Sequence, residues 1–259
     1  MKTATWNVNS LKVRVPRVLE FLAQHAPDVV LMQETKTEAV AFAEEELAAA
    51  GYTAVHHSAG RWAGVAIVAR TKLGLADPVA GLPGEPRGDE ARWIEATVGA
   101  LRLVSTYVPN GREVGSPTFD EKLAFLDAAA ARVAQLRDVP LVIGGDFNVT
   151  RADIDVYDPE AFVGSTHVAA DERSRLEALL QAGDLVDAYR HLHPDTQQFT
   201  WWDYRQGHFH RGLGLRIDYL LAGDRLAASL VACGIARDYR KGSKPSDHAP
   251  LIVELEESL

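Results

Sequence analysis

The chain has 259 residues, 47% of them hydrophobic and 24% charged, with a formal net charge of −9. Those proportions supply ample core, and the acidic balance argues against a protein that coats nucleic acid by bulk electrostatics, though not against an enzyme that grips a few phosphates beside a divalent cation. One cysteine, Cys233, excludes an intramolecular disulfide and a cysteine-rich zinc site, the interrupted apolar runs exclude a helical membrane span, and an amino terminus polar by Asn7 lacks a secretory pattern, so an intracellular, cytoplasmic protein is expected.

In chain order, short β-branched runs alternate with helical patterns. Lys2–Trp6 reads as a strand, and Val15, Val18, Leu19 and Leu22 recur at helical spacing behind Ser10 and Pro16. Strands are predicted at Val29–Gln33, Val65–Ala69, Trp93–Val98 and Leu101–Tyr107, the last two forming an antiparallel pair around Gly99-Ala100. A helix is predicted over Asp120–Arg137, where Leu123, Leu126, Ala130, Val133 and Leu136 mark one apolar face. A strand at Leu141–Gly145, a helix over Ser174–Leu180 and strands at Ile217–Leu221 and Leu251–Leu255 complete the series. No low-complexity linker or tandem repeat divides it, so one domain over residues 1–259 is expected. Such alternation implies an α/β fold with helices covering the sheets.

Several of these strands end in polar residues. Thr5–Asn9 (TWNVN) and Gly144–Val149 (GGDFNV) both do, and residues i and i+2 of a strand face one way. Asn7 is therefore expected beside Asn9, and Asp146 beside Asn148, on two sheets whose ends converge on one site. Gly144 and Gly145 would let the backbone approach closely. Glu34 ends the strand of LMQETK, where a carboxylate also suits plain solvent-facing punctuation. Tyr107 ends its strand before a Pro-Asn-Gly turn, with packing as the plainer reading. Thr200–Arg205 (TWWDYR) sets aromatics beside cations; such pairs are more often core, yet an aromatic next to Arg also holds unpaired nucleotides. Basic residues gather at Arg205, His208, His210, Arg211 and Arg216, and at Arg237, Arg240, Lys241 and Lys244, a pattern that solvated loops also give. Asp218 lies within the apolar strand of GLRIDYLL, and a buried carboxylate needs a partner. The Asp247–His248 pair of SKPSDHAPL supplies one. Oxygen-rich groups without cysteine point to a hard cation, Mg²⁺ or Mn²⁺, and to phosphate-ester chemistry.

Taken in order over residues 5–251, WNVNSLKVR, PDVVLMQETK, TYVPNG, GGDFNV, TWWDYR, GLRIDYLLA and KPSDHAPL resemble the exonuclease III family of DNA-repair nucleases. Its members are AP endonucleases with 3′ exonuclease activity, within the endonuclease/exonuclease/phosphatase superfamily. The resemblance implies a four-layer α/β sandwich, two mixed β-sheets packed face to face with helices outside. It implies Glu34 as the principal metal ligand with Asn7 and Asn9 beside it, and Asp247 completing the metal site opposite. Asp146 would activate the attacking water or serve a second metal. Asn148 would orient that water, hold a phosphate oxygen and share in the metal site. Asp218 would fix the tautomer of His248, which faces the scissile phosphate, and Tyr107 would stabilise the leaving 3′ oxygen or a phosphate oxygen.

For the substrate, the resemblance implies a small apolar pocket lined by Trp201, Leu215 and Ile217 that accepts a flipped-out abasic sugar. Asn110, Arg112 and Arg205 would contact phosphates or wedge into the duplex. Some relatives carry tryptophan where this chain has Leu215, methionine at Arg205 and aspartate at Asn9. The implied enzyme is a monomeric, Mg²⁺- or Mn²⁺-dependent phosphodiesterase of double-stranded DNA, nucleoid-associated during repair. It would cleave 5′ of abasic sites and remove nucleotides or blocking groups from 3′ ends. The alternative is a phosphatase or nuclease of the same superfamily acting on a non-DNA phosphoester. A non-catalytic nucleic-acid-binding protein is disfavoured, because Glu34, Asp146, Asn148, Asp218, Asp247 and His248 are all present.

Overall fold

The computed structural model describes residues 1–256. Its strands begin with β1 (Lys2–Asn7), β2 (Val29–Gln33), β3 (Tyr52–His57), β4 (Val65–Arg70), β5 (Ala76–Ala80) and β6 (Trp93–Val98). They continue with β7 (Leu101–Tyr107), β8 (Leu141–Asp146), β9 (Leu185–Asp187), β10 (Asp218–Gly223), β11 (Leu230–Ile235) and β12 (Leu251–Leu255). The principal helices are α1 (Leu11–His25), α2 (Glu44–Ala49), α3 (Pro117–Leu136) and α4 (Ala170–Ala182). The strands form two six-stranded mixed sheets, ordered β11-β12-β1-β2-β4-β3 and β5-β6-β7-β8-β10-β9. Parallel pairing is confined to β1 with β2 and β7 with β8.

Side-chain alternation builds the layers. From β2 and β4, Val29, Leu31, Val65 and Ile67 point inward and meet Ile94, Leu103, Val142 and Leu220 of the second sheet. Their neighbours Val30, Met32, Ala66 and Val68 point outward, where Phe21 and Leu22 of α1 and Leu47 of α2 cover them. On the second sheet the outward residues Val104, Ile143, Tyr219 and Leu221 are covered by Phe125, Leu126 and Val133 of α3 and Leu176 and Leu179 of α4. The expected four-layer sandwich is therefore the observed one. No helix among the described residues is long and apolar enough to cross a membrane.

All eight predicted strands are present, four with the expected bounds and four with one or both ends shifted by one or two residues. The four that the pattern missed, β3, β5, β9 and β11, are the four sheet edges. An edge strand is half solvated and carries little apolar signal: β5 is exposed throughout, and β3 buries only Tyr52 fully. Helix α3 starts three residues before the predicted Asp120. Ser116 caps it by accepting from the Phe119 N–H at 3.2 Å, and Pro117 takes the first helical position. Arg216, grouped by sequence with a surface cluster, is wholly buried and forked onto Asp155 and Asp187.

Two glycines set close approaches, Gly144 between the two sheets and Gly145 between β8 and its neighbour β7. A Cβ on Gly144 would lie 2.5 Å from Leu31 Cδ1, the free end of a side chain, whereas one on Gly145 would lie 2.1 Å from the Thr106 carbonyl oxygen. Gly145→Ala should therefore cost about 3 kcal/mol and Gly144→Ala about 1–2 kcal/mol. Urea unfolding of the two variants checks the order, and equal costs would contradict this account of the packing.

Candidate active site at one rim of the sheet sandwich

The alternation that fills the core also delivers the site. Asp146 follows inward-facing Val142 by four residues and Asp218 precedes inward-facing Leu220 by two, and the two acids are paired across antiparallel β8 and β10. Tyr107 is the register partner of Asp146 on the other side. From the first sheet, Asn7 ends β1 and donates its amide nitrogen to Glu34 Oε1 at 2.8 Å and to Asp146 Oδ2 at 2.9 Å. One side chain thus ties carboxylates from both sheets together.

The remaining groups arrive on turns. Glu34 and Lys36 both have left-handed backbones, with φ of 50° and 48°. That strain is held by hydrogen bonds from Thr35 N–H to Gly64 O, Lys36 N–H to Ala63 O and Ser10 N–H to Glu34 O. His248 sits between two hydroxyls. Ser246 Oγ accepts from His248 N–H and donates to Asn7 O at 2.7 Å. Thr200 accepts Ala249 N–H on its carbonyl, while its hydroxyl accepts from Ile217 and Asp218 N–H. The imidazole is therefore fixed to both sheets. Its Nδ1 lies 2.9 Å from Asp218 Oδ2 and its Nε2 lies 3.6 Å from Asp146 Oδ2.

Two expectations about placement need revision. Asn9 and Asn148 lie beyond their strands, at φ of 43° and 52°, so strand parity does not orient them. Asn9 donates to Asp247 Oδ1 at 2.9 Å and accepts from Lys36 Nζ at 2.7 Å. Asn148 donates its side-chain amide to Val108 O and accepts from Asn110 Nδ2 at 3.1 Å, while its main-chain N–H caps Asp146 Oδ1. Asp247 accepts from Asn9 and, at 3.1 Å, from Trp201 Nε1. It stands outside the group in which Glu34, Asp146 and His248 bring one ligand atom each within 4.8 Å of one another.

The predicted substrate-contacting residues divide as well. Asn110 and Arg112 are exposed and line a groove of about 720 Å³ that runs past Glu34 and Tyr107. Arg205 is exposed but forked onto Asp203 within its own turn. Leu215 and Ile217 are only 0% and 2% exposed. They pack with Val156 under Phe162, Val168 and half-buried Trp201, so the residues expected to line the sugar pocket stand in one apolar cluster.

Several contributors escaped the sequence reading. Lys36 pairs with Glu34 Oε2 at 2.5 Å, a role that only the fold makes visible. His167 places Nδ1 2.5 Å from Asn148 O. Lys122 is wholly buried beneath the same carbonyl, and its position between Phe119 and Phe125 on the apolar face of α3 was the available signal.

Burial raises the Asp146 carboxyl to about 7, helped by the Asp218 and Glu34 charges and opposed by His248. For His248 burial works against the charged form, but Asp218 and Asp146 outweigh it and push the imidazole up to about 10. Burial, then the Glu34 and Asp146 charges, keeps the Tyr107 phenol protonated well above its ordinary range, and Arg92 stacks 4.7 Å from its ring centre. Burial also lowers His167 to about 3, leaving it neutral.

The donor set suits a hard divalent cation. The Glu34 and Asp146 carboxylates offer hard oxygens at the rim, while a protonated His248 has no lone pair on Nε2 to give. Asn7 turns its nitrogen, not its oxygen, to both acids, and so orients the carboxylates.

Comparison with known proteins agrees with this geometry. Residues 4–248 match the endonuclease/exonuclease/phosphatase family. Exodeoxyribonuclease III of Haemophilus influenzae is 31% identical, covering 98% of this chain and 99% of its own. Among solved structures, the Neisseria 3′ phosphatase NExo bound to a product DNA hairpin superposes with a TM-score of 0.95 at 38% identity, covering 99% of each chain. An AP endonuclease from Archaeoglobus fulgidus gives 0.94 at 34% identity, again covering 99% of each chain.

The His248 shift carries a stability consequence in the metal-free protein. Its folded value, about 10, lies above the free value of 6.5. Its contribution is therefore complete below about pH 6.5 and is lost as the pH rises through about 10. Thermal melts in EDTA should show a midpoint falling over that window, and His248→Gln should remove this part of the slope. An unchanged slope in the variant would contradict the assignment.

Proposed function

The chain belongs to the endonuclease/exonuclease/phosphatase family, in its exonuclease III branch, and we propose that it is a divalent-metal-dependent DNA-repair phosphodiesterase acting on double-stranded DNA. It clears nucleotides and blocking groups from 3′ ends and cleaves 5′ of abasic sites. It works as a single-domain monomer in the cytoplasm, at the nucleoid during repair. The observation that carries this reading is the convergence of Glu34, Asp146 and His248 at one buried rim, with Asp218 behind the imidazole.

In this reading, Glu34 and Asp146 hold Mg²⁺ or Mn²⁺, which when bound relieves charge on the phosphoryl oxygens. Asp146 takes the proton of the attacking water, with its two oxygens oriented by Asn7 and by the Asn148 main chain. The protonated His248 donates from Nε2 to a nonbridging phosphate oxygen, and Asp218 fixes its orientation from Nδ1. Tyr107, kept protonated, donates to the leaving 3′ oxygen. Asn110 and Asn148 hold the phosphate, and Arg112 meets the backbone along the groove beside Tyr107.

The close packing of this apolar patch bears on substrate choice. A 3′-terminal phosphate or nucleotide needs no extrahelical sugar pocket, whereas an abasic sugar would require Phe162, Val168 or Trp201 to move from Leu215 and Ile217. Removal at 3′ ends should therefore outpace abasic incision. Proteins of similar structure carry both activities, one a 3′ phosphatase and another an AP endonuclease.

Three duplexes test this: a nick with a 3′ phosphate, a recessed 3′ hydroxyl end and an internal abasic analogue, each with Mg²⁺ and with EDTA. Metal-dependent turnover, faster on the 3′ ends, is the expected result, and Asp146→Asn and His248→Gln should each lose about 10²–10⁴ in rate. Failure on all three duplexes with Mg²⁺ or Mn²⁺ would sink the DNA-repair reading in favour of a non-DNA phosphoester. Faster abasic incision would show that the patch opens readily.

A further inference from the structure

Lys122 is 0% exposed, yet its ammonium is not spent on one salt bridge. Besides its pairing with Glu172 of α4, Nζ donates to Asn148 O at 2.7 Å, to Thr166 Oγ1 at 3.1 Å and to Asn110 O at 3.2 Å. Both carbonyls belong to loops that bring an asparagine to the site. Gly111, at φ 84°, provides the room for this reach, since a Cβ there would lie 2.8 Å from Lys122 Cδ.

The Asn148 carbonyl also meets His167 Nδ1 at 2.5 Å. A neutral His167 must therefore carry its proton on Nδ1. Two donors thus hold one main-chain oxygen of a residue whose φ of 52° is left-handed. The same left-handed turn aims the Asn148 N–H at Asp146 Oδ1, 2.9 Å away, and sets the hydrogen bond from Asn110 Nδ2 to Asn148 Oδ1.

We propose that Lys122 is a positioning residue for the phosphate-hydrolysing site: its buried ammonium pins the Asn110 and Asn148 carbonyls and so holds the turn that orients Asp146. The inference rests on the reading of Asp146 as the water-activating residue. Lys122 is sealed from the surface. It acts through two peptide units, and it couples the α3–α4 layer to the rim.

Lys122→Met alone would strand the Glu172 carboxylate in the interior, so the informative variant is Lys122→Met/Glu172→Gln, which carries no buried charge at either position. On the 3′-phosphate duplex, kcat should fall about 10- to 100-fold with KM held within about threefold, and Mn²⁺ affinity by electron paramagnetic resonance should stay within about threefold. Amide exchange at Asn148 should speed up about tenfold or more, while Glu172→Gln alone, which leaves the carbonyl contacts in place, keeps kcat within about threefold. A folded double variant with wild-type kcat, or with Asn148 exchange unchanged, overturns the proposal. If the double variant does not fold, a tenfold loss of kcat in Glu172→Gln does the same, because the ion pair would then be the element that matters. Wild-type protein inactive on DNA would remove the functional reading, and the exchange measurement would still decide whether Lys122 sets the turn.

Discussion

The constraint on which the rest of this structure depends is the crowding of carboxylates at a nearly dry rim. Asp146 and Asp218 are buried, Glu34 and Asp247 are close by, and mutual repulsion alone would drive them apart or neutralise them. Three positive or donor groups hold them: His248 between Asp218 and Asp146, Lys36 on Glu34, and the Asn7 amide between Glu34 and Asp146. Burial, with the Asp218 and Glu34 charges added to it, still leaves the Asp146 carboxyl raised. A site poised in this way has an excess of negative charge at its mouth, and a divalent cation answers that excess more completely than a lysine does.

Such a cluster needs rigid support, and the strands supply it only in part. Asn7, Asp146 and Asp218 end or begin strands whose apolar neighbours lock their direction into the space between the sheets. Glu34, Asn9 and Asn148 sit instead in left-handed turns: main-chain hydrogen bonds fasten the Glu34 turn to the Ser10 and Gly64 segments, while the Asn9 and Asn148 N–H groups donate to Asn7 Oδ1 and Asp146 Oδ1. Ser246 and Thr200 fasten His248 to opposite sheets, so sliding one sheet against the other would break a hydroxyl bond before it moved the imidazole. Backbone strain is thus concentrated next to the chemistry and offset by contacts from the stiff layers around it.

Charge elsewhere is arranged differently. Arg216 is buried with Asp155 and Asp187, and Arg190 joins Asp155 at 2.6 Å, so these cations anchor the segment that carries Leu215 through Asp218 and face no ligand. Lys122 and Glu172 anchor the opposite wall. Among the described residues, Arg112 stands exposed beside the groove and pairs with no carboxylate.

The sequence by itself determined the layered α/β architecture, because apolar alternation in the central strands has one way to be buried on both faces. It also marked Asp146 and Asn148 by their place after two glycines, and Asp218 with His248 by the partner a buried carboxylate needs, while Glu34 and Tyr107, for which solvent-facing punctuation and packing were the plainer readings, took their roles from the family resemblance. Edge strands β3, β5, β9 and β11 were illegible because half-solvated strands carry almost no hydrophobic pattern. Strand parity could not orient Asn9 or Asn148, whose left-handed turns are set by contacts from elsewhere in the chain. Only the tertiary structure decided that Leu215 and Ile217 close on Val156, that Arg216 is internal, and that Lys36 and Lys122 belong to the site. Each of those facts is a meeting of residues distant in sequence, and local spacing holds no record of such meetings.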